Sequence, residues 1–238
     1  MRASLRRRAV QRLWRAETAY VVVLAAFGVL ALLAHFNAYF GWDLRVALWV
    51  QSLRFVPGFA GAMIVTSLFG NGLIPWVMTL IVTLLFFIFS KRSEAVGLLT
   101  SAGGGELINY IVKMLIGRPR PTPELVTVYR SLRTESFPSG HVTFYVCFFG
   151  FLFFAAFALL PRGSTARRVA LGLTALPIAL IGFSRVYLGA HWPSDTLGAY
   201  LLSGLWLAFS LHLYRGWKQR ATFHPELKEN DEGKAVRG

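Results

Sequence analysis

Six long apolar runs, separated by short polar stretches, dominate the chain: Thr18–Phe36, Leu73–Ser90, Ala95–Leu115, Val142–Leu160, Val169–Val186 and Thr196–Tyr214. Each approaches the roughly 20 apolar residues that a helix needs to cross a bilayer. The pattern therefore predicts six spanning helices. A further apolar run, Phe55–Phe69, is short and carries Pro57, Gly58 and Gly61. Before it, Asp43 is placed to cap a short helix with Leu44, Ala47 and Leu48 on one side. Asp43–Phe69 is expected to lie against the membrane as interfacial helices.

Composition narrows the class further. Of 238 residues, 55% are hydrophobic and 15% charged, where a soluble domain has about 25% charged. The same balance excludes a disordered chain. The single cysteine, Cys147, can form neither an internal disulfide nor a thiolate metal site. The net charge of +14 admits a nucleic-acid partner or an anionic bilayer.

The positions of the charges decide between them. With the N-terminus inside, six spans put most of the 25 Lys and Arg on the cytoplasmic side, the bias that orients membrane proteins. Counting Phe55–Phe69 as a span would erase that bias. The N-terminal arginines directly precede a span, where they meet anionic headgroups. No nucleic-acid partner is expected. Ser4–Arg8 faintly resembles a twin-arginine signal, but Thr18–Phe36 is long for a cleaved leader and no A-x-A site follows it. The expected fold is an all-α integral membrane protein. A basic cytoplasmic interfacial segment occupies 1–17 and a six-helix bundle 18–214. Extracytoplasmic interfacial helices lie between spans one and two. A polar, disordered cytoplasmic tail fills 215–238.

Three polar clusters interrupt this pattern, all at extracytoplasmic span ends. Lys113, Arg118, Arg120 and Pro121 close the third span. Pro138, Ser139, Gly140 and His141 open the fourth. Ser184 and Arg185 close the fifth, followed by His191 and Asp195 at the start of the sixth. Span ends on one side of a bundle can converge on one pocket. The residue types suit a phosphate ester. Arginine grips phosphate oxygens bidentately and lysine acts as a point charge. Ser139 and the Gly140 amide sit at a helix start, itself an anion site. Two histidines can divide nucleophilic and acid–base work. Asp195, four residues after His191, shares its helical face and can hold the imidazole in one tautomer.

Blander readings compete for each residue taken singly. Charges at span ends commonly snorkel to headgroups, and Pro-Ser-Gly is an ordinary turn before a helix. The functional reading rests on all three clusters sharing one side. No metal or other cofactor is expected, because Lys113, Arg120 and Arg185 would repel a cation. Glu106, Asn109 and Tyr110 share the helical face of Lys113. Glu106 is placed to support the pocket or a proton path, or to make a buried hydrogen bond between spans, the reading preferred here. Gly103, Gly104 and Gly105 lie inside a span and predict close helix packing. The loop Thr122–Phe137 is long enough to serve as a lid.

Together the clusters resemble the signature of the type 2 phosphatidic acid phosphatase family: K-x6-R-P, then P-S-G-H, then S-R-x5-H-x3-D. The match is complete at Lys113, Arg120, Pro121, Pro138, Ser139, Gly140, His141, Ser184, Arg185, His191 and Asp195. The spacing selects Arg120 over Arg118, which is left to meet headgroups. The resemblance implies a metal-independent lipid phosphatase with an extracytoplasmic site. In it, His191 attacks phosphorus, His141 serves as acid and then base, and Asp195 orients His191. Lys113, Arg120, Ser139, Gly140 and Arg185 hold the phosphoryl oxygens. Implied substrates are phosphatidate, phosphatidylglycerol phosphate, undecaprenyl diphosphate or a lipid A phosphate, drawn from the bilayer. The same motifs also suit a lipid phosphotransferase or a non-catalytic lipid-phosphate carrier. Vanadium-dependent haloperoxidases resemble the family in their site residues, but six spans favour a lipid substrate. The motifs carry no information on oligomeric state.

Overall fold

The protein is described by a computed structural model covering residues 2–132 and 134–223, with side chains described for 17–132 and 134–219. The eight helices are α1 (Arg2–Phe36), α2 (Gly41–Ser52), α3 (Phe59–Ser67), α4 (Ile74–Ile88), α5 (Arg92–Ile116), α6 (Gly140–Leu159), α7 (Thr165–Tyr187) and α8 (Pro193–Phe223). Short 3₁₀ turns at Leu53–Phe55 and Leu68–Gly70 follow α2 and α3. Among the described residues there is no strand.

The bundle is organised around α6, which packs against α5, α7 and α8. Its sequence is apolar on every side, the pattern of a helix surrounded by others. Val142, Phe144, Tyr145, Phe148 and Phe151 are all buried there. Outer helices instead turn large apolar side chains outward, among them Val21, Val22 and Val29 on α1 and Leu80 and Leu84 on α4. The glycine run of α5 lets neighbours approach closely. A Cβ at Gly105 would lie 2.5 Å from Cys147 Sγ on α6, and one at Gly104 would overlap the Trp206 ring on α8. That is the packing role expected of small residues between membrane helices.

Among the described residues, four helical stretches are individually long and apolar enough to cross a membrane: Glu17–Phe36, Gly140–Leu159, Thr165–Tyr187 and Pro193–Gln219. The expected runs Leu73–Ser90 and Ala95–Leu115 behave differently. Helix α4 has only 15 residues. It reaches span length together with Phe59–Gly70, from which it is bent by 61°. Gly72, with φ +54, supplies a left-handed residue between the two. The helical part of Phe55–Phe69 and α4 are each short, and only together do they have the length and hydropathy of a span. Helix α5 is long enough at 25 residues, but Glu94, Glu106, Asn109 and Lys113 lower its hydropathy.

Helix α8 runs past the expected end at Tyr214 to Phe223. Its extension is tied back to the bundle. Lys218 Nζ donates to Glu94 Oε1 at 2.6 Å and Tyr214 OH donates to the same oxygen at 3.0 Å. The tail expected to be disordered is thus helical as far as Phe223, and from 224 onward it lies outside the described residues. Backbone of the basic N-terminal segment continues α1, and its side chains as far as residue 16 lie outside the described residues.

Candidate active site

Local sequence sets each motif at a helix end. Helix α5 stops at Gly117, whose φ of +63 closes the last turn through Gly117 N donating to Lys113 O at 3.1 Å. The chain then leaves toward Arg118 and Arg120. Helix α6 starts at Gly140 with Ser139 at the N-cap. A serine there normally bonds the second or third amide of the helix. Ser139 makes no such bond, and its buried Oγ has no partner among the described residues. Helix α8 starts at Pro193, with Asp195 in its first turn.

Backbone bonds bring these ends together. Ser136 N donates to Arg118 O at 2.7 Å, and Ser139 N donates to Asp195 O at 3.3 Å. Lys113 Nζ donates to the carbonyls of Glu135 at 2.8 Å and Pro138 at 2.9 Å, pinning the loop before α6. Asn109, one turn earlier on α5, donates to Thr143 Oγ1 at 2.9 Å and Pro138 O at 3.4 Å. The three clusters thus meet at one place in the bundle.

His191 is central to it and nearly fully buried. Arg120 Nη1 lies 3.2 Å from His191 Nε2. A guanidinium only donates hydrogen bonds, so Nε2 accepts and the ring proton sits on Nδ1. Nδ1 in turn faces Asp195 Oδ2 at 3.7 Å and Ser136 Oγ at 3.5 Å. Arg120 itself is held from both sides, by the Thr134 carbonyl at 2.7 Å, Thr134 Oγ1 at 3.0 Å and the Ala190 carbonyl at 2.6 Å. Burial, followed by the charges of Arg120, Arg185 and Lys113, pushes His191 well below the usual imidazole range. The His191 ring is therefore a free base at neutral pH.

His141 has the same charged surroundings, with Arg185, His191, Arg120 and Lys113 all acting on it. Its Nε2 lies 3.0 Å from Asn71 Oδ1, and a Cβ at Gly70 would overlap its ring. Arg185 donates from Nη1 to Ser67 Oγ at 2.5 Å. Its Nε is buried without a partner among the described residues. The bend between α3 and α4 therefore furnishes a wall of the site. Arg185 Nε and the Ser139 hydroxyl are two buried polar groups that an anionic oxygen would satisfy. The Gly140 backbone passes beneath Asn109 and Glu106, whose oxygens lie 3.5 and 4.0 Å from a Cβ placed there. Glu106 departs from expectation: its Oε1 is buried and makes no hydrogen bond among the described residues.

Arg118 is the largest correction. Far from meeting headgroups, its side chain is fully buried between two carboxylates. It donates to Asp195 Oδ1 at 2.6 Å and to Asp43 Oδ2 at 3.0 Å. Those partners lie 77 and 75 residues away, so no local pattern could reveal them. Ser136, Asn71, Ser67, Thr134 and Asp43 also escaped the motif reading. Ser136 sits three residues before Ser139, and Asp43 showed only its capping role. The helix opens earlier than expected, at Gly41, and Asp43 acts from its third position, Oδ2 accepting from the N-cap amide of Phe40 at 3.0 Å.

Residues 94–219, just over half of the chain, match the family model described as the PAP2 superfamily. The chain belongs to the PAP2 superfamily. Among PAP2 relatives it is similar to phosphatidylglycerophosphatase B of Bacillus subtilis (strain 168), with 31% identity over 134 residues. That match covers 56% of this chain and 63% of the relative, so it spans less than two thirds of the relative's length. The fold is similar to a crystal structure of a transmembrane PAP2 type phosphatidylglycerolphosphate phosphatase from Bacillus subtilis, with a TM-score of 0.70 and 25% identity. It covers 84% of this chain and 96% of that one. The crystal structure of Aquifex aeolicus LpxE shares the fold, with a TM-score of 0.56 at 22% identity over 73% of this chain and 96% of that one.

Proposed function

We propose that the protein hydrolyses a lipid phosphate or diphosphate at the outer face of the membrane, without a metal, through a phosphohistidine on His191. The observation that carries this reading is the contact between Arg120 and His191 Nε2. It supports the reading because a guanidinium, a group suited to phosphate, lies beside an uncharged imidazole nitrogen. His191 Nε2 forms a bond to phosphorus while the bond from phosphorus to the lipid oxygen breaks. His141 gives that oxygen its proton. It then takes one from the water that attacks phosphorus and breaks the N–P bond, releasing phosphate. Lys113, Arg120 and Arg185 offset the charge on the phosphoryl oxygens, with Ser139 Oγ and the Gly140 amide as further donors.

The topology that suits this chemistry has six crossings, made by α1, α4, α5, α6, α7 and α8. Both termini are cytoplasmic and α2 and α3 lie on the extracytoplasmic side. Helix α5 counts as a crossing because Asn109 and Lys113 turn their polarity toward α6 and its entry loop rather than toward lipid. Arg162, Arg167 and Arg168 mark the opposite, cytoplasmic end of the bundle.

The similarity to phosphatidylglycerophosphatase B of Bacillus subtilis makes phosphatidylglycerol phosphate the first lipid to test. Purified protein in a chelating buffer should release phosphate from that lipid or from phosphatidate, undecaprenyl diphosphate or a lipid A phosphate. No release from any of the four, or release only after a divalent ion is added, overturns the proposal.

A further inference from the structure

Asp43 lies outside all three motifs, yet it is fully buried and receives four hydrogen bonds. Phe40 N, Arg118 Nη2 and Ser194 Oγ reach its Oδ2 at 3.0, 3.0 and 2.7 Å. Ser194 N reaches its Oδ1 at 2.8 Å. One carboxylate thus caps its own helix α2, caps the start of α8 from outside and pairs with Arg118. Arg118 also donates to Ser194 Oγ at 2.6 Å and to the Asn37 carbonyl at 3.1 Å. Its guanidinium also lies 4.8 Å from the Phe40 ring centroid, and its last hydrogen bond is the 2.6 Å one to Asp195 Oδ1.

We propose that Asp43 and Arg118 are positioning residues for the reaction, with Asp43 holding Arg118 and Arg118 setting the carboxylate of Asp195 that faces His191. This rests on the lipid phosphatase reading above. Asp195 divides its two oxygens. Oδ1 is taken by Arg118, while Oδ2 accepts from Trp192 N at 2.8 Å and Ser136 Oγ at 2.5 Å and faces His191 Nδ1. Without the guanidinium on Oδ1, the carboxylate loses the bond that keeps Oδ2 turned to the imidazole.

Helix docking alone does not require this arrangement. A buried ion pair gives little net stability over apolar packing of similar volume, because desolvation offsets the attraction. Two carboxylates on one guanidinium leave a net charge of about −1 beside Nδ1. That charge favours the imidazole as Nε2 donates its electron pair to phosphorus. The cluster also ties α2 to the first turn of α8, so the extracytoplasmic segment and the nucleophile's helix are set by one group.

The test is a double-mutant cycle on the full-length protein with a lipid phosphate that the wild type hydrolyses. Asp43→Asn keeps shape and removes charge. It should lower kcat by about 10–100-fold, one to two decades at roughly 1.4 kcal/mol each, with KM within about threefold. In an Asp195→Asn background, Asp43→Asn should cost less than about twofold, since its route to His191 is gone. Ser194→Ala leaves both ion pairs in place and serves if Asp43→Asn does not purify as a folded species. Its smaller kcat loss should likewise vanish in the Asp195→Asn background. A loss of the same factor in both backgrounds, or a change confined to KM or to thermal stability, overturns the proposal. Failure of the wild type to release phosphate from any lipid overturns the phosphatase reading itself, which the cycle does not touch.

Discussion

Arg120 reaches His191 Nε2 across 3.2 Å while the opposite ring nitrogen turns toward Asp195 Oδ2 at 3.7 Å. One imidazole is therefore flanked by a cation at Nε2 and an anion at Nδ1. Arg118, two residues earlier, grips the anion instead. Two arginines separated by Pro119 serve opposite sides of the same ring.

The two arginines should fail in different ways. Arg120→Ala should lose roughly 10²–10⁴-fold in turnover, the equivalent of two charge-assisted bonds of about 1.5–3 kcal/mol each, with the thermal midpoint little changed. Arg120→Lys should not recover it fully, since lysine lacks the fork. Arg118→Ala leaves Asp43 and Asp195 buried and unpaired, which costs about 3–5 kcal/mol of stability. Turnover and thermal unfolding in detergent, measured on both variants, check this. A stable Arg118→Ala beside an unfolded Arg120→Ala would reverse the assignment.

The histidines should separate on leaving-group quality. His191→Ala should abolish turnover and any acid-labile phosphoenzyme. His141→Ala should lose about 10²–10⁴-fold on a lipid alkoxide, as general acid–base catalysis predicts, and less on an aryl phosphate that needs no proton. Equal losses on both substrates would contradict the role given to His141.

His191 should be uncharged well into the acid range. Its pKa is pushed down by burial and then by Arg120, Arg185 and Lys113, so the neutral form persists below the ordinary imidazole pKa of about 6.5. Nitrogen NMR of ¹⁵N-histidine-labelled protein, with His191 assigned from the spectrum of His191→Gln, should show a neutral ring protonated on Nδ1 at pH 6.5. An imidazolium signal at that pH would refute both the charge state and the tautomer.

Topology is open to labelling. Cysteines introduced at Thr127 and Ser164, in a Cys147→Ala background, should react from opposite sides of the membrane, with Thr127 outside. Reaction from the same side would remove the six-crossing arrangement.

The glycine run of α5 should resist enlargement. Gly105→Val drives a methyl group into Cys147, whose Sγ lies only 2.5 Å from the Cβ position. Overpacking of that kind costs about 1–3 kcal/mol. Thermal unfolding of Gly105→Val and of a Gly105→Val, Cys147→Ala pair should show a loss that the second change partly restores.

Lys113, Arg120, His141, His191 and Asp195 were legible because each motif is short and its spacing survives translation into a helix end. The glycine run was legible for the same reason. Arg118 was not, since its burial depends on two acids far along the chain, while its neighbourhood reads as an exposed turn. Nor was the contribution of Ser67 and Asn71, which act from a bent helix pair that hydropathy reads as two unrelated runs. The reach of α8 to Phe223 was hidden by Arg215 and Lys218, which look like an ending until Glu94 of α5 is seen to receive Lys218.

His191 and Asp195 stand at the threshold of α8, whereas Lys113, Arg120, Ser139 and His141 belong to stretches synthesised earlier. On the proposed mechanism, a nascent chain that has not yet delivered α8 to the bilayer carries the residues that would cradle a phosphate and the proposed acid, but not the proposed nucleophile. On that mechanism incomplete chains are chemically silent, and maturation of the protein coincides with the arrival of α8.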